Sequence, residues 1–428
     1  MIKVIKNGTV LTMSSSRANF ENVDIVINGN KIVALQENYD GVYDELIDAT
    51  NKIVLPGLIN AHTHLGMSYF RATNDNLSLQ DWLNKRIWPI EDKMDEDDIY
   101  YGTLLSIIEM IRTGTTCSSD MYFFANGAIR ALKQMHVRCL FTRCLTDINN
   151  EWDSRIIEFR DLYSRYRDDN LIKFSVAPHA LYTCNLEYLK KCSNLASELN
   201  LPVHMHYLEN KKEINDIRQK YNLEPLDVLK ESGLINNKLI LAHCTFLNEE
   251  NLESFKGKDI SIVHNPISNL NLGCGIADII KYKDYVNVCL WTDSQGSGNN
   301  LNMFYHMSIV DLLQKGLHED STVLSSYEVL KMATVNGAKA IGMDNEIWSI
   351  EVGKKADIVM LNMDNVFTEP HLDLITNLVH NAYNSVCMTM VDGNVLMKDG
   401  EFLLDINEKD LINIINSRIM NYWSLIAI

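Results

Sequence analysis

No CxxC pair occurs in this chain, and its nine cysteines are an odd number, which argues against a disulfide framework and for reduced, mostly buried thiols. None is a strong catalytic candidate. No stretch approaches the roughly 18 consecutive apolar residues of a membrane helix, and the opening MIKVIKNGTVLTM alternates like a strand instead of carrying a signal peptide's continuous apolar core. A soluble, cytoplasmic protein is expected. Positive charge is scarce too: the formal net charge is -17, spread along the chain, which makes nucleic acid and anionic membrane poor partners. No low-complexity tract or internal repeat stands out. What is present is 428 residues at 46% hydrophobic composition, enough to bury a sizeable core in one large domain plus an extension.

Short apolar runs ending in polar residues alternate with helical stretches, the pattern of βαβ units around a parallel sheet. Eight runs fit: IVLPGLINAHTH, TTCSSDMYF, VRCLFTRCL, IKFSVAPHA, LPVHMHYLE, KLILAHCT, ISIVHNP and VNVCLWTDS. A closed (β/α)₈ TIM barrel is the expected architecture, with a weak helix only after the seventh run. A helix is predicted over 95–112, with Asp95 as N-cap, Asp97 and Asp98 complementing its dipole and Gly114 beyond its end. Leu104, Ile107, Ile108 and Ile111 share its apolar face. Residues 1–53 read instead as short strands broken by NG and GN turns, and the same texture returns in DIVMLNM and SVCMTMVDGNVLMKDG. Both ends should therefore build one discontinuous β domain, 1–53 and 351–428 with a C-terminal helix, around a barrel spanning 54–350.

Polar side chains that end the strands of a parallel barrel converge on one mouth, where catalysis is expected. In "NAHTH", His62 and His64 lie two apart, on one side of an extended strand, and can approach a single ion. An isolated HxH is more often a hydrogen-bonded pair of core or surface histidines. "VHMHYLEN" repeats the spacing with His204 and His206, and adds Glu209 three residues on. A carboxylate just beyond a ligand is placed to carry protons without coordinating, as a hydrolytic site requires. His243 in "LAHCT" and Asp293 in "WTDS" each end a buried run. His62, His64, His206 and Asp293 offer three nitrogens and one oxygen, a set suited to one zinc or ferrous ion with a position left for water. His204 is expected beside the site without ligating, and His264 and Asn265 near a loop or substrate.

The motifs "PGLINAHTH", "HMHYLE", "AHC", "HNPISNLNLGCG", "TDS" with "NNLNMF", and "ATVNGAKAIG" with "IEVGKKADIV" resemble the amidohydrolase superfamily along nearly the whole chain. That resemblance implies a metal-bearing barrel, a β-sandwich built from both termini and, since "APHALY" has no lysine, a mononuclear site with one divalent metal per subunit. Within it, "HTHLGMSYFRATNDNLSLQDWLNKRIWPIED", "DMYF", "FTRCL" and "APHALYTC" are similar to the 5'-methylthioadenosine/S-adenosylhomocysteine deaminases. The similarity implies hydrolytic deamination of an adenine nucleoside or its thioether derivative by a homo-oligomer. Glu91 would bind the ribose hydroxyls, His179 the purine, and Trp82 would line the cavity. Arg155 would pair with the amino-acid carboxylate of S-adenosylhomocysteine, with Arg143 reaching that group across a subunit interface. Asp293, Glu209 and His243 would carry the catalytic proton transfers and steady the oxyanion. Two departures adjoin Asp293: Trp291, where similar proteins often have a small residue, and the glycine-rich "SQGSGNNLN". They bear on the leaving group and side pocket. The rival readings are a hydrolase of another nucleobase or a triazine, and a metal-free interaction protein.

Overall fold

The computed structural model describes residues 1–14, 20–74, 76–147 and 152–422. All eight predicted runs are strands: β1 (Leu58–Thr63), β2 (Thr115–Tyr122), β3 (Arg138–Leu145), β4 (Ile172–Phe174, continued by Ala177–Pro178), β5 (Val203–Tyr207), β6 (Leu239–His243), β7 (Ile260–His264) and β8 (Asn287–Leu290). β1 to β4 pair in parallel, as do β5 to β8. Parallel bridges Val176–Val203 and Ala180–His206 join the two halves on one side. On the other, the Asn60 amide donates to Thr292 Oγ1 at 2.7 Å and accepts from Thr292 N–H at 3.3 Å, closing the barrel across β1 and the end of β8.

Helices α1 (Glu96–Arg112), α2 (Ala125–Gln134), α3 (Trp152–Tyr166), α4 (Leu186–Leu199) and α5 (Lys211–Tyr221) follow β1 to β5. Asp95 and Asp98 form a reciprocal capping box at the start of α1, and the four predicted apolar residues are buried. Capping and periodicity are local signals, so this helix was legible residue by residue. After β7 only the six-residue helix Pro266–Asn271 and the four-residue Ile279–Tyr282 occur, in line with the weak pattern there.

Strands from the two ends of the chain form two further sheets. One has four strands: Lys31–Gln36, Asp24–Asn28, Ile2–Lys6 and Glu45–Asp48. The other has seven, in which Lys52–Pro56 pairs antiparallel with Ile358–Asn362, so residues far apart in sequence share one sheet. Ile5, Ile25, Ile27, Val54, Ile358 and Met388 belong to a core separate from that of the barrel. Strand Lys52–Pro56 straddles the expected boundary at 53: Val54 packs in the terminal core, and Ile53 and Leu55 pack in the core that includes the barrel. All nine cysteines are buried and none is in a disulfide. Among the described residues no helix is long and apolar enough to cross a membrane.

Arg138, at the first residue of β3, clamps Asp357 with two bonds, Nε to Oδ2 at 2.8 Å and Nη2 to Oδ1 at 3.0 Å, and also reaches Asp392 at 3.1 Å. Both side chains of the main pair are almost fully buried. Removing one partner strands a charge away from water, so Arg138→Met is expected to lower unfolding free energy by about 3–5 kcal/mol. A urea titration checks this. A loss below about 1 kcal/mol would show that the clamp adds nothing to the union of barrel and terminal sheet.

Candidate active site

The histidine-bearing strand ends meet at one mouth of the barrel. His64 Nδ1 lies 2.5 Å from the carbonyl of Met121 and His206 Nδ1 lies 2.8 Å from that of His179. A carbonyl only accepts, so in both rings Nδ1 carries the proton and Nε2 is a bare lone pair. Those two Nε2 atoms face each other at 3.3 Å. Nothing in a neutral protein makes that approach favourable, whereas a cation between them would. His62 Nε2 is buried with no hydrogen-bond partner among the described residues, while its Nδ1 is held by His204 Nε2 at 2.8 Å. Asp293 Oδ1 completes the cluster, 3.3 Å from His64 Nε2 and 3.8 Å from His62 Nε2.

The donor set therefore fits a divalent metal on its own chemistry. His62, His64 and Asp293 place ligand atoms within 4.8 Å of one another, as do His62, His206 and His243. Burial pulls His62 and His206 well below the usual imidazole range, with neighbouring imidazoles adding to the effect, and burial also lowers His64. Neutral imidazole is the ligating form. His243 behaves oppositely: burial disfavours its cation, but the carboxylates of Glu209 and Asp293 outweigh that and raise it. Its Nε2 lies 3.8 Å from Glu209 Oε1 and its Nδ1 2.8 Å from Asn269 Oδ1.

Backbone geometry aims these groups. Leu208, His243 and Asp293 have φ of 52°, 72° and 63°. Left-handed backbone costs roughly 1–2 kcal/mol for a residue with a side chain, so each turn needs fixing by its surroundings. For Asp293 this comes from hydroxyl donors, Ser268 at 2.6 Å and Ser297 at 2.9 Å, which occupy Oδ2 and leave Oδ1 for the cluster. Glu209 is 6% exposed, with the Cys274 thiol 3.8 Å from Oε1, and burial raises its carboxyl above the ordinary range.

A cavity with an empty volume of about 700 Å³ opens above the cluster, lined by His64, His206, Glu209, His243 and Asp293 at its floor. Met67, Leu79, Trp82, Leu83, Ile87, Trp88 and Glu91 supply one wall, so the segment after the first histidine pair contributes both floor and wall. Tyr122, His179 and Tyr182 line another part. Trp82 is held by a bond from Nε1 to Thr73 Oγ1 at 3.1 Å. The Tyr122 hydroxyl donates to Glu91 Oε1 at 2.5 Å, and burial pushes the Glu91 carboxyl up to about 7. Burial likewise takes His179 down to about 3, so it meets a ligand as neutral imidazole. A larger, more open recess, lined by Lys258, Tyr285, Lys331 and Asn336 among others, contains none of the predicted site residues.

Two arginines stand outside the lining. Arg143 bonds Glu158 Oε2 at 2.8 Å and the Cys144 carbonyl at 2.7 Å of its own chain. Arg155, half-buried on α3, makes its charge felt at His179 and Cys144. The departures beside Asp293 have structural causes. Trp291 is fully buried beneath the floor, stacked on His62 with ring centroids 6.0 Å apart, so it shapes no side pocket. A Cβ on Gly296 would sit 3.0 Å from both Phe70 and Trp82, and one on Gly298 would sit 2.6 Å from the Thr292 carbonyl. The glycines permit close approach of the Asp293 loop to the cavity wall. Tyr122, Cys274 and Ser268 escaped sequence reasoning as partners because each acts through a contact between distant segments.

The amidohydrolase family profile matches residues 53–396. The chain belongs to this family. Membership makes it a metal-dependent hydrolase, in agreement with the donor cluster. Among relatives of this amidohydrolase, the 5-methylthioadenosine/S-adenosylhomocysteine deaminase of Thermoanaerobacter pseudethanolicus is 41% identical over 421 residues, 96% of this chain and 97% of that one. The 5'-deoxyadenosine deaminase of Methanocaldococcus jannaschii is 39% identical over 394 residues, 90% of this chain and 93% of that one. A crystal structure of an adenosine deaminase from Xanthomonas campestris with bound zinc superposes with a TM-score of 0.94 at 31% identity, covering 98% of each chain.

Proposed function

We propose that the protein removes the 6-amino group of an adenine nucleoside by hydrolysis, giving the hypoxanthine product and ammonia, with S-adenosylhomocysteine, 5'-methylthioadenosine and adenosine as the candidate substrates. One observation carries this reading: Glu209, whose carboxyl burial raises, and Asp293, whose carboxylate joins the donor cluster, share a cavity floor whose wall presents Glu91. The names of the relatives point the same way. Segment 54–350 is the proposed catalytic unit, and 1–53 with 351–428 its supporting β domain.

His62, His64, His206 and Asp293 would hold one divalent ion, zinc in the first instance and iron in the second, as suits these ligand types. Bound there, such an ion supplies Lewis acidity that makes water nucleophilic near neutral pH. Asp293 Oδ1 accepts the proton the attacking water gives up as oxygen adds to C6. Glu209, raised by burial and so protonated further up the pH scale, donates to the ring nitrogen beside C6. His243 orients the nucleophile and steadies the negative charge developing on its oxygen. Return of a proton to the amino group releases ammonia and restores the aromatic ring. Glu91 accepts from the ribose hydroxyls and His179 contacts the purine. For a substrate with an amino-acid tail, Arg155 is the proposed carboxylate partner, with Arg143, which bonds Glu158 in its own chain, reaching that group across a subunit interface.

The test follows the adenine-to-hypoxanthine absorbance change with the three nucleosides on metal-analysed protein. Turnover of none of them, alongside ammonia release from guanine or a triazine, would overturn the reading. A pH dependence is also expected. An ionised carboxylate holds hydroxyl donors more strongly than a neutral carboxyl does, and burial pushes Glu91 up to about 7, so KM should fall as pH rises through about 7. Glu91→Gln should raise KM roughly 10- to 100-fold at pH 8, the worth of a bond to a charged group, and flatten that dependence. An unchanged KM profile would remove Glu91 from the ribose site.

A further inference from the structure

β5 ends at Tyr207, and the chain turns through Leu208, whose φ of 52° lies in a region that residues other than glycine rarely adopt. Glu209 follows directly. The next element, α5, begins with Asn210 as N-cap, its side chain accepting from the Glu213 N–H at 2.9 Å. A Glu at this third helical position ordinarily reaches back to the N-cap's own N–H. Here Glu213 reaches further: Oε1 accepts from Leu208 N–H at 3.1 Å and Oε2 from Glu209 N–H at 2.7 Å. Its side chain is buried, 2% exposed, and both oxygens are used. The first turn of a helix also favours the negative charge.

We propose that Glu213 is a positioning residue for the reaction, its carboxylate gripping the backbone of Leu208 and Glu209 so that the Glu209 side chain points at the reacting ring. Glu213 does not line the cavity and cannot touch substrate. Its effect passes through one turn of backbone. Without the grip, two amide protons lose their acceptors inside the protein, and the left-handed turn at Leu208 loses what selects it over the ordinary conformations. Glu209 then samples orientations in which its carboxyl no longer faces His243 and Cys274. Misplacement of a catalytic group by about 1 Å can cost on the order of a hundredfold.

The proposal rests on Glu209 acting as the proton donor, and the experiment separates the two ideas. Glu213→Gln, which keeps the shape but offers a single acceptor oxygen, is expected to lower kcat about 10- to 100-fold with KM within about threefold. Glu213→Asp, which keeps the charge but shortens the reach by one methylene, should fall between that variant and wild type. The decisive combination is Glu209→Gln with Glu213→Gln. If Glu213 acts only through Glu209, the double variant turns over no more slowly than Glu209→Gln alone, whereas a general structural role makes the two losses multiply. Hydrogen exchange, read by mass spectrometry over residues 203–215 of metal-free protein, should show faster exchange in Glu213→Gln. Unchanged kcat, multiplying losses or unchanged exchange would each overturn the proposal. A wild-type protein inactive on every adenine nucleoside would fault the Glu209 reading instead, and the exchange measurement would still decide whether Glu213 holds the turn.

Discussion

Glu209→Gln is expected to lower kcat at least a hundredfold while metal content and melting temperature stay at wild-type values, the loss typical for a positioned general acid. The two halves of this expectation have separate grounds. Glu209 stands at the end of β5, three residues beyond His206, and the donor clusters are complete without it. Gln has nearly the same volume, so the cavity floor keeps its packing and neither the ion nor the fold loses a contact. What disappears is the proton. Burial holds that proton on the native side chain above the usual carboxylate range, with the nearby Asp293 charge acting in the same direction. The amide cannot supply it to the purine, so the loss should fall on kcat and leave KM little changed. Any limb of the native pH profile that reports loss of the Glu209 proton should also be absent from the variant. Steady-state kinetics across pH, paired with metal analysis of the same samples, decides the matter, and normal turnover by the variant would remove Glu209 from the chemistry.

The parts of this site that were legible in the sequence are those whose cause is local. Eight strands could be counted because each is an apolar run with a polar end, and a parallel barrel turns that linear pattern into a ring. His62 and His64 could be paired because a strand repeats every two residues. The same rule, carried one step further, explains Trp291: two positions before Asp293, it points into the barrel one layer below, where it supports the His62 ring rather than bounding a pocket. What could not be read are contacts made by chain segments that meet only on folding. Tyr122 and Glu91 are 31 residues apart, and their hydrogen bond follows from how the wall segment drapes over the barrel mouth. Ser268 reaches Asp293 from the short helix after β7. Arg143 is expected to act on another subunit's substrate, and within its own chain Nε and Nη1 bond Glu158 and the Cys144 carbonyl.

His206→Ala is expected to weaken metal binding and to remove most turnover, while wild-type protein stripped by a chelator recovers on addition of zinc or iron. His64 and His206 spend their Nδ1 protons on backbone carbonyls, which forces their unprotonated Nε2 atoms to confront each other at 3.3 Å. Deletion of one ring removes the confrontation and one of four donors, and the two nitrogens and one carboxylate that remain hold an ion more weakly and leave a second position open to water. Stability offers a readout independent of activity. A ligand that binds only the folded chain stabilises it by about 2.7 kcal/mol at a hundred times its dissociation constant. Added metal should therefore raise the melting temperature of stripped wild-type protein more than that of His206→Ala at the same metal concentration. The substitution also relieves the lone-pair repulsion, so the metal-free variant should melt no lower than metal-free wild type by more than the loss of a buried ring costs, about 2–4 kcal/mol by analogy with other large-to-small changes. Unchanged metal affinity in His206→Ala, or turnover by wild-type protein shown to be metal-free, would place the ion elsewhere or dispense with it.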